Sequence, residues 1–190
     1  MRVHVELEGR SGLVMHNARL ADPLDPLAME LRRMTSKRGK TEVEEQAIAA
    51  FEWHASLYAD RETGPYIPAE NIIRCLYDAA TTWKLGTKVY DYVIVTTDKV
   101  PLRYDGPSDL SKLATREENR LRKTVKIGRN RTARTRPIFR TWGLSFDIEL
   151  EPDGLSSVDL GRIVEHAGRY KGLGTARKLG YGRFSAQLTT

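Results

Sequence analysis

What this sequence has least of narrows its chemistry first. A single cysteine, Cys75, excludes an internal disulfide and any metal centre built on thiolates. The four histidines, His4, His16, His54 and His166, show no HExxH spacing and no Cys-x-x-Cys partner. GxSxG and the full GxxxxGK[ST] of a phosphate-binding loop are also missing (Gly39-Lys40-Thr41 has Met34 where the first Gly would stand), so zinc-hydrolase, serine-esterase and P-loop chemistries lack their residues. Neighbouring acids such as Asp22/Asp25 and Glu44/Glu45 read as turn and helix-cap residues, not as a two-metal site. No metal and no cofactor is therefore expected. No apolar run approaches the roughly 18 uncharged residues of a membrane-spanning helix. The opening MRVHVELEGR alternates and carries charge, unlike a secretory leader, so a cytoplasmic protein with no membrane partner is expected.

Acids are scarce in one part of the chain only. Residues 119–190 hold 15 Lys and Arg against 6 Asp and Glu, whereas residues 1–118 hold 16 against 19. No acid lies between Glu118 and Asp147, and none follows Glu165. The run from Arg120 to Arg140 carries Arg120, Arg122, Lys123, Lys126, Arg129, Arg131, Arg134, Arg136 and Arg140. Such a field concentrates polyanions and speeds their arrival, so nucleic acid is the expected partner.

What is present reads as a mixed chain of one domain, 1–190. Arg2–Glu8 alternates Val3, Val5 and Leu7 against polar residues, a strand with one buried face. Gly9–Gly12 breaks it, and Leu13–Met15 continues it briefly. Asp25 followed by Pro26 starts a helix with Leu27, Leu31 and Met34 inward. Thr41 and Glu44 form a capping-box pattern at the head of a second helix, 41–59, with Val43, Ala47, Phe51 and Ala55 as its apolar stripe and Ile48 beside it. A third helix spans 70–85, with Trp83 on its apolar side. Strands follow at 90–96 and 100–104, then an irregular polar stretch at 107–115. The basic run suits an extended hairpin, and 139–150 is a strand. Helix 156–170 carries Leu160, Ile163, Val164 and Ala167, and a strand at 180–188 ends the chain. Residues 24–59 are expected as a helical insertion and 107–138 as a protruding basic arm.

The sharpest local pattern is KGLGTARKLGYGRF at 171–184. Gly172, Gly174, Gly180 and Gly182 allow positive φ or close backbone approach, and Arg177, Lys178 and Arg183 are placed to reach phosphates. Tyr104, Phe139, Tyr170 and Tyr181 lie near basic residues, and of these Tyr181 is the expected stacking ring. Gly-apolar-Gly, five residues, then Gly-aromatic-Gly resembles the glycine-rich loop of the RAMP superfamily, the ferredoxin-like proteins of CRISPR effector complexes. Tyr66-Ile-Pro-Ala-Glu-Asn-Ile-Ile-Arg resembles the RAMP turn into the first core helix, with Ala69-Glu70-Asn71 where the family usually shows Gly-Ser-Ser. Gly12-Leu-Val-Met-His after the first strand is similar to that family's strand exit. The whole also resembles small phage- or prophage-encoded relatives, and it is short for the subunits that coat CRISPR guide RNA.

The resemblance implies an α+β ferredoxin-like antiparallel sheet with two core helices. It implies binding of single-stranded RNA or DNA with low sequence specificity, by a head-to-tail homo-oligomer or filament, with other CRISPR-type subunits as further partners. The expected contacts are Arg129, Arg131, Arg134, Arg136, Arg140, Gly172, Gly174, Arg177, Lys178, Gly180, Tyr181, Gly182 and Arg183. Two alternatives stand beside this reading. RAMP ribonucleases place a His near the end of the first strand, which makes His16 the candidate general acid or base of a metal-independent endoribonuclease. A protein-interaction module that mimics a CRISPR subunit would need no nucleic-acid affinity at all.

Overall fold

The computed structural model describes every residue except Arg129, and describes Ile127 and Asn130 by their backbone only. The chain divides into two compact units, one of residues 1–13, 59–105 and 139–190, the other of 14–58 and 106–138.

In the first unit the alternation at the start of the chain produces the strand Arg2–Gly9, with Val3, Val5 and Leu7 buried. It lies between Phe184–Thr189 and Trp142–Leu150, and Val93–Val95 pairs on the far side of the latter. Every pairing is antiparallel, with Val5 opposite Phe146 and Leu188. Helix Ala69–Ala80 precedes Val93–Val95, and helix Ser157–His166 precedes Phe184–Thr189. In chain order this is βαββαβ, the ferredoxin-like arrangement of an α+β fold. The core forms where Ile72, Leu76 and Ala79 of the first helix and Leu160, Ile163 and Val164 of the second are buried with Leu144, Phe146 and Ile148 of the sheet.

Several sequence expectations need correction here. The third helix stops at Ala80, passes through a short turn at Thr81–Trp83, and reaches Lys84 in the left-handed region. A separate helix, Gly86–Tyr92, then occupies the start of the expected 90–96 strand. The 100–104 strand is split between two sheets. Lys99–Pro101 pairs with Gly64–Pro68, while Arg103–Tyr104 pairs with Trp142 and Gly143. The final strand begins at Phe184, because Gly180 and Gly182 hold positive φ that a strand does not admit.

In the second unit Asp25 caps helix Pro26–Ser36 through the backbone N–H groups of Leu27 and Ala28. Thr41 and Glu44 close the capping box of helix Glu42–Ser56. The buried face of that helix matches the expected stripe only in part. Ala55, and Ile48 beside the stripe, are buried, but Val43 is 74% exposed, Ala47 is exposed too, and Ala49, Glu52 and Trp53 are buried in their place. The expected irregular stretch contains a helix, Leu110–Thr115, capped by Asp109 and anchored by buried Leu113. Arg120–Ile127 and Asn130–Phe139 form an antiparallel hairpin in continuous register, with Lys123 opposite Arg134 and Lys126 opposite Arg131. The hairpin and the helix are joined through polar groups. Trp53 donates its indole N–H to the Asn119 carbonyl at 2.8 Å, and Asn119 Nδ2 donates to the Ile138 carbonyl at 3.0 Å.

Candidate nucleic-acid interface

The glycine pattern folds into a tongue with a tight base. Helix Ser157–His166 widens into a π-helical turn, Ala167–Lys171, a distortion often found at functional positions. Gly172 ends it at φ +79, with its N–H on the Ala167 carbonyl. Leu173, buried, donates its N–H to the Gly182 carbonyl at 2.9 Å, and Gly182 donates to the Gly12 carbonyl at 2.9 Å. A Cβ on Gly182 would sit 1.9 Å from the Leu173 carbonyl oxygen, and one on Gly172 would sit 2.7 Å from that of Tyr181. These two glycines therefore serve backbone-on-backbone packing within the chain. Around Gly180 there is open space. The Gly9–Gly12 turn grips the same tongue, with Ser11 Oγ donating to the Gly180 carbonyl at 2.8 Å.

The tongue brings Arg177, Lys178 and Arg183 together. With Lys171, Tyr170, Thr81 and Asp78 they line an open pocket of about 380 Å³. Four cations face one carboxylate there. Arg177 Nη1 donates to Asp78 Oδ2 at 3.0 Å, and Asp78 also accepts from Arg74 Nε at 3.0 Å. Arg183 Nη2 donates to the Arg177 carbonyl at 3.2 Å, while its Nη1 is buried with no partner among the described residues. A buried guanidinium donor without an acceptor is costly. Lys178 is exposed. Lys171, Tyr170, Thr81 and Asp78 were not among the expected contacts; of these, Lys171 opens the motif, Tyr170 precedes it directly, and the helix carrying Asp78 is distant in sequence. Tyr181 is half-buried, takes part in an interaction of its own, and is not in the pocket lining. Nearby Cys75 donates its thiol to the Gly172 carbonyl at 3.1 Å, and burial pushes its pKa up to about 12, so it stays a protonated, inert core residue.

The hairpin of the second unit presents its cations differently. Arg134 Nη1 meets Glu52 Oε1 at 3.1 Å, and the other oxygen of that buried carboxylate accepts the Thr135 N–H at 2.8 Å. Arg122 lies 3.9 Å from Glu45. Arg136 is half-buried, and burial is the main cause that holds its pKa below the ordinary guanidinium value. Arg131 is exposed opposite Lys126, and no acid pairs with either among the described residues. Arg129 lies outside the described residues. Arg140 is exposed in the first unit, in the bend before the Trp142 strand. His16 stands near Arg134 and Arg136; desolvation first, then Arg136 and Arg134, push its pKa down to about 4. At neutral pH it is an uncharged imidazole.

The open face of the first unit's sheet has the opposite character. Glu6, Glu8, Asp147 and Glu149 share it with Arg2 and His4. Arg2 and His4 Nδ1 both bind the Asp147 carboxylate, at 2.6 and 2.7 Å, and Arg103 pairs with Glu8. Among the described residues this face holds no Phe, Tyr or Trp. It lacks the stacked rings with which RRM-type sheets hold bases, and its carboxylates repel phosphate.

No family model and no curated protein matches the chain. Among solved structures, it is similar to a chain in the cryo-EM structure of the Type III-B Cmr-beta bound to cognate target RNA, at 14% identity and a TM-score of 0.53. The match covers 100% of this chain and 60% of that one, so this chain spans three fifths of its neighbour's length. At that identity the likeness is one of fold, an α+β architecture of antiparallel sheets.

Proposed function

We propose that this protein is a RAMP-like binder of single-stranded nucleic acid that holds the strand by its phosphates, with little sequence preference. The observation that carries the reading is the convergence of Lys171, Arg177, Lys178 and Arg183 on one open pocket with a single carboxylate among them. Arg131 and Lys126 at the hairpin supply a second, more exposed pair of cations, and Gly174 and Gly180 allow the tongue its shape. The fold neighbour's association with target RNA favours RNA over DNA. Repeated copies along one strand would make binding cooperative and length-dependent.

The test is fluorescence anisotropy with labelled single-stranded RNA, single-stranded DNA and duplex DNA across a salt series. Lys178→Glu, at an exposed position, should weaken binding to every sequence by about ten-fold and flatten the salt slope by about one to two phosphate contacts. Unchanged affinity would remove the tongue from the interface. Absence of binding at low salt would leave the subunit-mimic reading, which a pull-down with nuclease-treated lysate addresses.

One observation favours a second activity. The uncharged His16 imidazole stands beside Arg134 and Arg136, cations that can bear phosphorane charge, and its pKa of about 4 makes it a weak general base at neutral pH. The activity requires shortened RNA on a denaturing gel, none with 2′-deoxy substrate, and loss of cleavage in His16→Ala.

A further inference from the structure

We propose that Tyr170 is a base-stacking platform attached to the phosphate pocket, so that a nucleotide is held on the helical side of the sheet. The inference rests on the phosphate-binding reading and adds what the bases do. Tyr170 lines the pocket and is 54% exposed, although it follows the last turn of a core helix. Its ring is braced within the fold. His166 lies 4.8 Å from it at 44°, Trp83 meets His166 edge-on at 4.9 Å, and Arg162 covers Trp83 at 4.4 Å. A ring already fixed on one side loses little freedom when a base stacks on it, which favours binding. The Arg169 guanidinium lies over the Tyr170 ring, 5.4 Å from its centroid, so an incoming base either displaces this planar cation or takes the face it leaves open.

The alternatives on the same unit fit less well. The open sheet face offers carboxylates and no aromatic ring. Tyr181, within the glycine motif, is half-buried and does not line the pocket. The combination of exposed ring, bracing aromatics and adjoining cations occurs at Tyr170. Single-strand binders join these same parts, a cationic groove and a sequence-tolerant stack.

The experiment compares two polyanions, a single-stranded RNA homopolymer and inorganic polyphosphate, which has the charge without bases. Tyr170→Ala should lower RNA affinity about ten-fold, leave polyphosphate affinity and the RNA salt slope unchanged, and be rescued by Tyr170→Phe. Trp53 and Trp142 are fully buried, so half-buried Trp83 is the reporter. RNA should shift its emission, polyphosphate should not, and Trp83→Phe should erase the signal. Equal loss for both polyanions would show that the ring merely shapes the pocket, and would overturn the proposal. Wild-type RNA affinity in Tyr170→Ala, with affinity lost in Lys178→Glu, would also overturn it while the phosphate reading stands. If the wild type binds neither polyanion, both fall.

Discussion

The two basic regions of this molecule differ in how much of their charge is available. The hairpin has the denser run of cations in sequence, with no acid nearby along the chain. The fold then brings acids to it, since Glu52 takes Arg134 and Glu45 approaches Arg122. The stretch 171–183 is poorer in cations, yet its four, Lys171, Arg177, Lys178 and Arg183, meet in one pocket against a single carboxylate that Arg74 already shares. Charge density along a chain is therefore a poor measure of the field a ligand meets. What counts is where the carboxylates end up, and whether the cations converge.

Breaking the pocket side should have the largest effect. In Gly182→Ala the new Cβ would meet the Leu173 carbonyl oxygen at 1.9 Å with φ at +72. Overpacking against backbone and the left-handed penalty together predict a loss of about 3 kcal/mol or more. Gly180→Ala, at φ +88 in open space, should cost only about 1 kcal/mol. Urea unfolding of the two variants measures the difference. Equal costs would mean that the tongue is not closed at its base by Leu173 and Gly182.

The hairpin side gives an intermediate effect with two opposed signs. Glu52→Ala removes a buried acceptor from the Thr135 N–H and leaves Arg134 without its partner. Stability should fall by about 2 kcal/mol, below the range for fully buried pairs because Arg134 is partly solvated. Anion affinity should rise at the same time, since Arg134 is released. A fall in both would show that Glu52 organises the hairpin's binding surface and does not mask it.

The ferredoxin-like core was legible because its elements have clean periods. Val3, Val5 and Leu7 alternate, and Leu160, Ile163, Val164 and Ala167 recur at helical spacing, and all of them are buried. The second helix misled because it buries a carboxylate. Ile48, Glu52 and Ala55 lie on one helical line, but a charged residue reads as solvent-facing until its partners on the hairpin are known. The split of 100–104 between two sheets depends on which strands stand alongside, a long-range fact that a local alternation does not carry. For the candidate site, Arg177, Lys178 and Arg183 were readable from the glycine motif. Asp78 and Thr81 were not, since they reach the pocket from a helix and the turn that follows it, almost a hundred residues earlier in the chain. Tyr170 and Tyr181 both lie near basic residues, and the sequence favours Tyr181 because it stands inside the glycine motif, a position that says nothing about exposure.

The smallest expected effect separates the two units by pH. On the sheet face the hydrogen bond from His4 to Asp147, with Glu6 adding to it, raises the His4 pKa. The folded chain therefore keeps that proton longer than the unfolded chain. Its contribution is present below the ordinary value of 6.5 and is lost as pH rises through the higher folded value. His16 in the second unit behaves in the opposite sense, because its folded pKa is about 4. The unfolded chain takes up that proton first as pH falls from 6.5, so the stability His16 confers is present above 6.5 and lost on the way to 4. Unfolding measured from about pH 7.5 to about pH 4.5 should show a decline that His16→Asn flattens and His4→Asn steepens. Both side chains are in contact with solvent, so each change is modest, and its direction is the result to read. Identical slopes in the two variants would mean that neither imidazole titrates differently on folding, and the contrast between an acid-lined sheet face and a cation-lined hairpin would lose its electrostatic basis.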